Sequence, residues 1–356
     1  MLAHELRVLG YTHLSTENGR VSFQGPASAI AECNLWLRTA DRVLITMARF
    51  PAHDFEELFQ GTLAVQWEEH LPLNANMHVL GKSVKSKLHS VPACQSIVKK
   101  AIVEAMKRKH RRNRFEESGA EYRIEVSLLK DIATITMDTS GHGLHKRGYR
   151  REAGNAPLKE TLAAGLVLLS RWRQDSPLAD PLCGSGTIPI EAAMIGRNRA
   201  PGLRRDFAAE KWPTLPAHIW SDAREQAKAA ERGDRFTVLA SDIDEKVLRV
   251  ARQNARAAGV QDLIRFEQKE IAQFHSHGKK GFIICNPPYG ERMGEDPQVV
   301  EEVCRALGTV YSGLDDWSLF ALSAYPHFER LIGRKADRRR KLYNGNILCY
   351  YYQYRR

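Results

Sequence analysis

A regular alternation of helix and strand signals is the feature of this chain that most constrains its fold. From residue 158 onward, short apolar runs typical of buried strands alternate with longer runs whose apolar residues recur at helical spacing. This pattern predicts an α/β domain built on a doubly wound, mostly parallel sheet. The predicted helices are 158–172, 188–195 and 245–258, and the predicted strands are the residues just before Asp180, 236–240, 264–267, 281–285 and, after a hairpin signal at 343–346, a late antiparallel strand at 347–351.

The first 150 residues follow an α+β pattern without this alternation. The predicted elements are a strand at 21–23, a helix at 29–39, a strand at 77–80, a helix capped by Ser90 with an apolar stripe from Ile97 to Met106, and strands at 122–128 and 133–137 joined by a Lys130-Asp131 hairpin. The change of pattern near residue 150 marks a domain boundary. We expect three segments, with bounds 1–50, 51–150 and 151–356.

Positive charge dominates the composition and clusters along the chain. The sequence has 53 Lys and Arg against 42 Asp and Glu, a formal net charge of +11. Such an excess favours an anionic partner, with nucleic acid ahead of a membrane surface. The charge is concentrated in four clusters, at 82–87, 107–114, 146–151 and 334–341. The residues that we expect to contact phosphates are Lys82, Lys85, Lys87, Lys107, Arg108, Arg111, Arg112, Arg147 and Arg150.

The six cysteines are spread widely, at positions 33, 94, 183, 285, 304 and 349, with no C-x-x-C pair. Neither a zinc site nor a disulfide framework is expected from this spacing, and the histidines show no metal-ligand spacing. The N-terminal residues lack the apolar core of a signal peptide, and no apolar stretch is long enough to span a bilayer. We therefore predict a reduced, cytoplasmic protein that needs no metal and no membrane.

A glycine-rich turn follows the first strand of the alternating region, in the sequence Asp180-Pro-Leu-Cys-Gly-Ser-Gly-Thr187. Gly184 and Gly186 let a ligand approach the backbone, next to the free N–H groups at the start of a helix. Pro189 replaces the third glycine of a dinucleotide fingerprint, and there is no Walker A lysine, so NAD, FAD and nucleoside triphosphates are disfavoured. The negative charge of Asp180 suits the cationic amino-acid part of S-adenosylmethionine.

Two further acids complete this predicted cofactor site. Asp242 ends the next strand and is placed to hold ribose hydroxyls. Glu270 follows the third strand and is expected to accept from the adenine amino group, with a solvated helix-start acid as the alternative. The predicted cofactor-binding set is Asp180, Pro181, Cys183, Gly184, Ser185, Gly186, Asp242, Ile243 and Glu270.

An unusually long segment, Arg197 to Trp220, separates the glycine-rich turn from Asp242. We interpret it as an insertion near the rim of the sheet, the edge formed by the carboxyl ends of the parallel strands, where ligands bind in such folds. Its aromatic residues Phe207 and Trp212 either shape the substrate pocket or pin the insertion to the protein, and we favour the second role.

The sequence Asn286-Pro287-Pro288-Tyr289 follows the predicted strand 281–285. The lone pair of a nucleobase amino group is delocalised into the ring, so such a nitrogen needs acceptors for its hydrogens to become nucleophilic. The Asn286 side-chain oxygen and the Pro287 carbonyl can accept them, the two prolines keep the loop stiff, and Tyr289 is expected to stack on an extruded base. Cys183 and Cys285 have no neighbouring base in the sequence, so we expect buried small residues and no covalent catalysis.

On these motifs the chain resembles the THUMP-domain class I RNA methyltransferases, most closely the bacterial 23S rRNA guanine-N2 methyltransferase group. The matching motifs are Asp138-Thr-Ser-Gly-His-Gly-Leu-His-Lys-Arg-Gly-Tyr-Arg150, Asn155-Ala-Pro-Leu-Lys-Glu160, Asp180 to Thr187, Ala200-Pro-Gly-Leu203 and Asn286 to Gly290. The resemblance covers nearly the whole chain. It implies an α+β ferredoxin-like domain, a THUMP RNA-binding domain with an RNA-facing segment from Lys82 to Ser90, and a Rossmann-like class I methyltransferase domain.

The resemblance also implies two departures from the family pattern. The family usually has a strand and part of a helix before a segment like Leu2 to Leu6, so the first domain is expected to be incomplete. Glu270 stands where Asp is more common, which weakens the expectation of an adenine contact.

Four functions remain open at this level. The leading hypothesis is methyl transfer from S-adenosylmethionine to the N2 amine of a guanine in 23S rRNA or an assembly intermediate. The alternatives are the same chemistry on tRNA, an adenine-N6 methyltransferase, which shares the Asn-Pro-Pro-Tyr loop, and a non-catalytic RNA-binding factor. The intact cofactor and reaction loops argue against the last of these.

Overall fold

Three β-sheets organise the computed structural model, which describes residues 1–150, 158–276, 280–289 and 296–356. The chain begins with helix α1 (Leu2–Val8), a hairpin of β1 (Ser15–Glu17) and β2 (Arg20–Ser22), and helix α2 (Ser28–Trp36). Some predictions fall outside the described residues, namely Arg151, the motif residues Asn155 to Pro157, and Gly290.

A four-stranded sheet forms the middle of the chain, in the order β3-β6-β5-β4. Its elements are β3 (Leu44–Pro51), α3 (Phe55–Leu63), β4 (Asn76–Val84), α4 (Val91–His110), β5 (Glu121–Leu129) and β6 (Ile132–Asp138). Lys130 and Asp131 both have positive φ angles, as the predicted hairpin turn requires. Ser90 is the N-cap residue of α4, but its side chain makes no capping hydrogen bond. Strand β3 crosses the boundary that we placed at residue 50.

A seven-stranded sheet fills the C-terminal part, in the order β12-β13-β11-β10-β7-β8-β9. Its elements are α5 (Glu160–Ser170), β7 (Leu178–Asp180), α6 (Thr187–Gly196), α7 (His218–Ala229), β8 (Val238–Asp242), α8 (Glu245–Ala258), β9 (Ile264–Gln268), β10 (Gly281–Cys285), α9 (Pro297–Ser312), β11 (Trp317–Ser323), α10 (Phe328–Ile332), β12 (Arg338–Asn344) and β13 (Ile347–Tyr354). Neighbouring strands from β9 to β11 are parallel, whereas β13 runs antiparallel to β11 and β12. The predicted fold class is confirmed.

The insertion between α6 and β8 lies elsewhere than we predicted. Helix α6 runs from the glycine-rich turn, at the carboxyl ends of the strands, back to their amino ends. The insertion therefore starts at the end of the sheet opposite the ligand-binding rim. Phe207 and Trp212 are 2% and 3% exposed and join the core of the N-terminal half. The Trp212 ring stacks on Tyr122 at a centroid distance of 4.6 Å, and its Nε1 donates to the Glu121 carbonyl at 3.1 Å. The insertion therefore attaches the two halves of the chain to each other.

Two arginines of the junction are paired with acids inside the protein, Arg147 buried and Arg150 half-buried, which corrects our assignment of them to the RNA surface. Arg147 is 3% exposed, with Nε 3.3 Å from Glu191 Oε1 and Nη2 donating to the Arg38 carbonyl at 2.6 Å. The Arg150 side chain is 14% exposed and lies 3.2 Å from the Glu160 carboxylate. An ion pair buried as deeply as that of Arg147 cannot exchange its partner for an RNA phosphate at low cost, so Arg147 holds the two halves together. Arg150 contacts Glu160 and Thr187 within the C-terminal half.

Replacing Trp212 by alanine should destabilise the folded protein, because it removes a stacked, buried ring and leaves a cavity between the two halves. We expect the free energy of unfolding to fall by about 3–5 kcal/mol, measured by urea denaturation. Trp212→Phe should recover part of this loss, since it keeps a ring against Tyr122 but gives up one hydrogen bond and part of the indole volume. Equal stability of Trp212→Ala and the wild type would show that the insertion is not a structural tie.

Candidate active site

The cofactor loop and the reaction loop meet because their strands are neighbours. Strands β7 and β10 pair in parallel, with Leu178 opposite Phe282 and Ala179 opposite Ile283. Parallel neighbours end at the same edge of a sheet, so the loops that begin at Asp180 and Asn286 leave from one rim. In open α/β sheets this rim, where the strand order reverses, is the usual place for a ligand.

The glycine-rich turn has the conformation that only glycine adopts easily. Gly184 has a φ of +52° with open space where a Cβ would lie, and Gly186 has a φ of +83° with a Cβ position only 3.1 Å from the Ala251 Cβ. The Gly184 amide donates to Asp242 Oδ2 at 2.9 Å, and the Asn254 side chain donates to the Ser185 carbonyl at 3.1 Å. The turn is thus fixed to β8 and α8, with open space beside Gly184 for a ligand.

Asp180 is a buried acid that pairs with no cationic side chain among the described residues. It is 1% exposed, and Oδ1 accepts from the Leu182 amide at 3.2 Å. Burial, with a smaller contribution from the neighbouring Asp242 carboxylate, raises the pKa of Asp180 well above its ordinary value. A ligand with a positively charged amino group would supply the missing counter-charge, so this carboxylate fits the amino-acid part of S-adenosylmethionine.

The other predicted cofactor residues lie along the same rim. Asp242 accepts a second amide hydrogen bond, from Asp244 at 3.1 Å, which fixes the orientation of its carboxylate. Ile243 is 63% exposed, so it offers apolar surface directly beside that acid. Glu270 is the N-cap residue of a short helical turn at 271–273 and makes no side-chain capping bond. Pro181 and Cys183 are buried under the turn.

Asn286 has a buried oxygen with no hydrogen-bond partner among the described residues, namely its side-chain Oδ1. Leaving such an acceptor unpaired costs about 1–3 kcal/mol, so its presence in a native site calls for an explanation. Asn286 directly follows the last residue of β10, at the rim where a ligand is expected. The orphaned oxygen therefore fits the predicted role of Asn286 as an acceptor for amino hydrogens.

Tyr289 is placed differently from our expectation. It is 5% exposed, and its hydroxyl accepts from Asn344 Nδ2 at 3.0 Å. Burial leaves little ring surface for an extruded base, so stacking by Tyr289 stays a prediction that requires the side chain to move. Sequence reasoning missed Asn344, because the Tyr343-Asn344-Gly345-Asn346 segment indicated only a hairpin turn.

The two cysteines near the loops are unsuited to nucleophilic catalysis, as predicted. Burial raises the pKa of both Cys183 and Cys285 well above the ordinary thiol value, and all six cysteines are free and buried. Within the described ranges, no group of three or more His, Cys, Asp or Glu residues could hold a metal ion. In the same part of the chain, no helix is both long and apolar enough to cross a membrane.

The predicted RNA-binding residues of the N-terminal half occupy two ends of one sheet. Lys82, Lys85 and Lys87 are exposed at the end of β4, and Arg108, Arg111 and Arg112 are exposed at the end of α4. Lys82 pairs with Glu125 at 2.7 Å, and Lys107 pairs with Glu104 at 2.9 Å. Because α4 runs antiparallel to the nine-residue strand β4, the two clusters lie about 26 Å apart along the strand direction.

Comparison with known proteins gives matches along the whole chain. The model of the RMKL-like methyltransferase domain matches residues 147–353, that of the RlmL ferredoxin-like domain matches residues 1–44, and that of the THUMP domain matches residues 52–138. The candidate RNA methyltransferase YpsC of Bacillus subtilis strain 168 is 50% identical, over 99% of this chain and 92% of its own length.

Two solved structures are similar over equally long ranges. A protein of Listeria monocytogenes strain 4b F2365, named as a predicted N6-adenine-specific DNA methylase, is 49% identical with a TM-score of 0.95, over 99% of this chain and 92% of its own. The candidate methyltransferase SMU.472, solved with SAH, is 45% identical with a TM-score of 0.93, over 99% of this chain and 94% of its own. The chain therefore belongs to the RMKL-like methyltransferase family, with a ferredoxin-like domain of the RlmL type and a THUMP domain before the methyltransferase domain.

Proposed function

We propose that this protein transfers a methyl group from S-adenosylmethionine to the exocyclic N2 amine of a guanine in 23S rRNA. The observation that carries the proposal is the buried Oδ1 of Asn286, which has no hydrogen-bond partner among the described residues and follows the strand next to the cofactor loop. Membership of a methyltransferase family and the SAH complex of SMU.472 support the methyl donor. The THUMP domain and the name of YpsC support RNA as the substrate. A ribosomal substrate would also place the protein in the cytoplasm, as the sequence predicts.

The residues of the reaction loop act on the acceptor nitrogen. When bound, S-adenosylmethionine supplies an electrophilic methyl group on a positively charged sulfur. Asn286 Oδ1 and the Pro287 carbonyl accept the two amino hydrogens, which turns the nitrogen lone pair out of the ring plane and toward the methyl group. The N–C bond forms as the S–C bond breaks, and the nitrogen, now cationic, loses a proton to water. No strong base has to act before the transfer.

The remaining residues hold the donor and keep the loop rigid. Asp180 pairs with the cationic amino group, Asp242 accepts from the ribose hydroxyls, and Ile243 and Glu270 serve the adenine ring and its amino group. Pro287 and Pro288 restrict the backbone of the reaction loop, so little reorganisation is needed when charge develops on the nitrogen.

An adenine-N6 methyltransferase is the second candidate, favoured by the name of the Listeria relative. Adenine N6 and guanine N2 are both amino groups conjugated to a purine ring, so the same acceptors serve either base. The THUMP domain favours RNA over DNA, and tRNA remains the alternative RNA substrate.

The experiment that tests the proposal is methyl transfer from labelled S-adenosylmethionine to total RNA from cells that lack this protein. Size separation and nucleoside analysis follow, with genomic DNA assayed in parallel. Label in 23S rRNA as N2-methylguanosine is the expected result. Label in tRNA, or as N6-methyladenine in DNA, would replace the proposed substrate, and cofactor binding with no transfer to any of these or to ribosomal particles would favour a binding factor.

Asn286→Ala should separate catalysis from folding. Removing the acceptor should lower kcat about 100-fold, the usual loss for one transition-state hydrogen bond, while S-adenosylmethionine binding stays unchanged. Since the variant also removes an unsatisfied buried oxygen, its free energy of unfolding should stay equal or rise. Loss of cofactor binding with normal turnover at saturation would contradict the assignment of Asn286 to the amino group.

Asp180→Asn should weaken S-adenosylmethionine binding about 10- to 100-fold by calorimetry, because a neutral amide replaces the counter-charge of an ammonium group. The amide oxygen can still accept from Leu182. Unchanged affinity would remove Asp180 from the cofactor site.

The same variant should change the pH dependence of stability without cofactor. The folded protein binds the Asp180 proton more tightly than the unfolded chain does, so the free energy of unfolding falls as pH rises from the ordinary aspartate pKa to the raised one. In Asp180→Asn this contribution should disappear, which urea denaturation at mildly acid and at neutral pH would measure.

Neutralising Arg108, Arg111 and Arg112 to glutamine should weaken RNA binding and reduce its dependence on salt. Each lost phosphate contact reduces the steepness of the slope of log K against log salt by about 0.7–0.9, so three lost contacts reduce it by about 2–3. Changing Arg173, Arg232 and Arg235 together to glutamine is the matched control, because these three arginines are exposed just before β7 or β8, at the end of the sheet opposite the rim. An unchanged slope would exclude the end of α4 from the RNA surface.

A further inference from the structure

We propose that one face of the β12–β13 hairpin binds an unpaired stretch of RNA next to the target nucleotide. This hairpin face consists of Arg339, Lys341, Tyr343, Leu348 and Tyr350. The inference rests on the proposed function, since it names the path by which an RNA strand reaches the reaction loop.

The strand register places these five side chains on the same side of the hairpin. Lys341 is opposite Tyr350, and Tyr343 is opposite Leu348. Directly opposite residues of an antiparallel pair point to one face, and alternate residues of a strand share it. Arg338 and Arg340 therefore point to the other face, where the Tyr351 hydroxyl donates to the Leu166 carbonyl of α5 at 2.8 Å.

Cations and aromatic rings alternate on the hairpin face. Tyr343 is 58% exposed and Leu348 38% exposed. Lys341 Nζ lies 5.7 Å from the centroid of the Tyr343 ring, and Arg339 Cζ lies 5.3 Å from that of Tyr350. Unpaired RNA offers alternating phosphates and unstacked bases, and proteins bind it through positive charges and rings on which the bases stack.

The end of the hairpin contacts the reaction loop from the other face. Asn344, the residue after Tyr343, points away from the hairpin face and donates from Nδ2 to the Tyr289 hydroxyl at 3.0 Å. The stretch from Arg339 to Tyr343 is about 13 Å long, at the usual rise of a strand. Because β13 runs antiparallel to β11, the turn of the hairpin lies at the carboxyl ends of the parallel strands, so an RNA strand along this face would lead to the rim from which the reaction loop leaves.

Charges on an edge strand have another known use, which is to prevent pairing with a second protein. Strand β12 is an edge of the seven-stranded sheet, so this use could account for its lysine and arginines on either face. It does not account for an exposed tyrosine beside an exposed leucine. Arg339 lies 3.9 Å from Glu329, whereas Lys341 has no acidic partner within 4 Å in the described part of the chain.

The test measures binding of a labelled oligouridylate and of an RNA duplex of equal length to the full chain, with methyl-transfer kinetics in parallel. Tyr343→Ala should weaken oligouridylate binding, and raise KM for RNA, about tenfold, as expected for one lost base stack. Tyr343→Phe should bind like the wild type because it keeps the ring. Lys341→Ala should weaken binding, whereas Arg338→Ala, which removes the same charge from the other face, should not.

Either of two results would overturn the inference: oligouridylate binding by Tyr343→Ala that equals the wild type, or equal weakening by Lys341→Ala and Arg338→Ala. Failure of the proposed function has a different signature. If the wild-type protein binds oligouridylate through Tyr343 but methylates no RNA, the RNA-binding role of the hairpin face is supported and the proposed activity is refuted. If methylation of RNA is normal and Tyr343→Ala does not change it, only the RNA-binding role of the hairpin face is refuted.

Discussion

The parallel pairing of β7 with β10 is the contact on which the rest of the site depends. Asp180 ends one strand and Asn286 follows the other, although more than a hundred residues of chain separate them. A pairing that is parallel and direct makes both strands end at one edge, so a donor site and an acceptor site share one rim. If the intervening strands had been placed between β7 and β10, the two loops would lie one or more strand widths apart, about 5 Å each.

Two polar groups at this rim are buried without the partners that such groups usually have, which lowers the stability of the folded protein. In the part of the chain that the structure describes, the buried carboxylate of Asp180 has no cationic partner, and the buried side-chain oxygen of Asn286 has no hydrogen-bond donor. Bound substrates would supply both partners. The positive amino group of the methyl donor would pair with Asp180, and the amino hydrogens of the base that accepts the methyl group would bind the Asn286 oxygen. Strain and unsatisfied polarity of this kind are expected at binding sites that are organised before the ligand arrives.

The N-terminal half is joined to this site by buried contacts instead of a loose linker. Arg147 pairs with Glu191 of α6, the helix that follows the glycine-rich turn, and also donates to the Arg38 carbonyl of the N-terminal half. The insertion adds Trp212, packed on the strand that carries Tyr122. An RNA held by the N-terminal half would therefore have a fixed position relative to the rim, which a methyltransferase needs to select one base.

The sequence by itself determined the local features: the helix and strand periods, the Lys130-Asp131 hairpin, the glycine-rich turn and the two acids after their strands. These depend on spacing and backbone preference among residues close in the chain. The sequence did not predict strand β11, because this strand is buried on both faces and its polar and apolar residues do not alternate regularly. Only the tertiary structure decided that Arg147 is buried, that the insertion lies opposite the rim and that Asn344 contacts Tyr289, because these contacts join residues far apart in the chain and follow from strand order and domain docking.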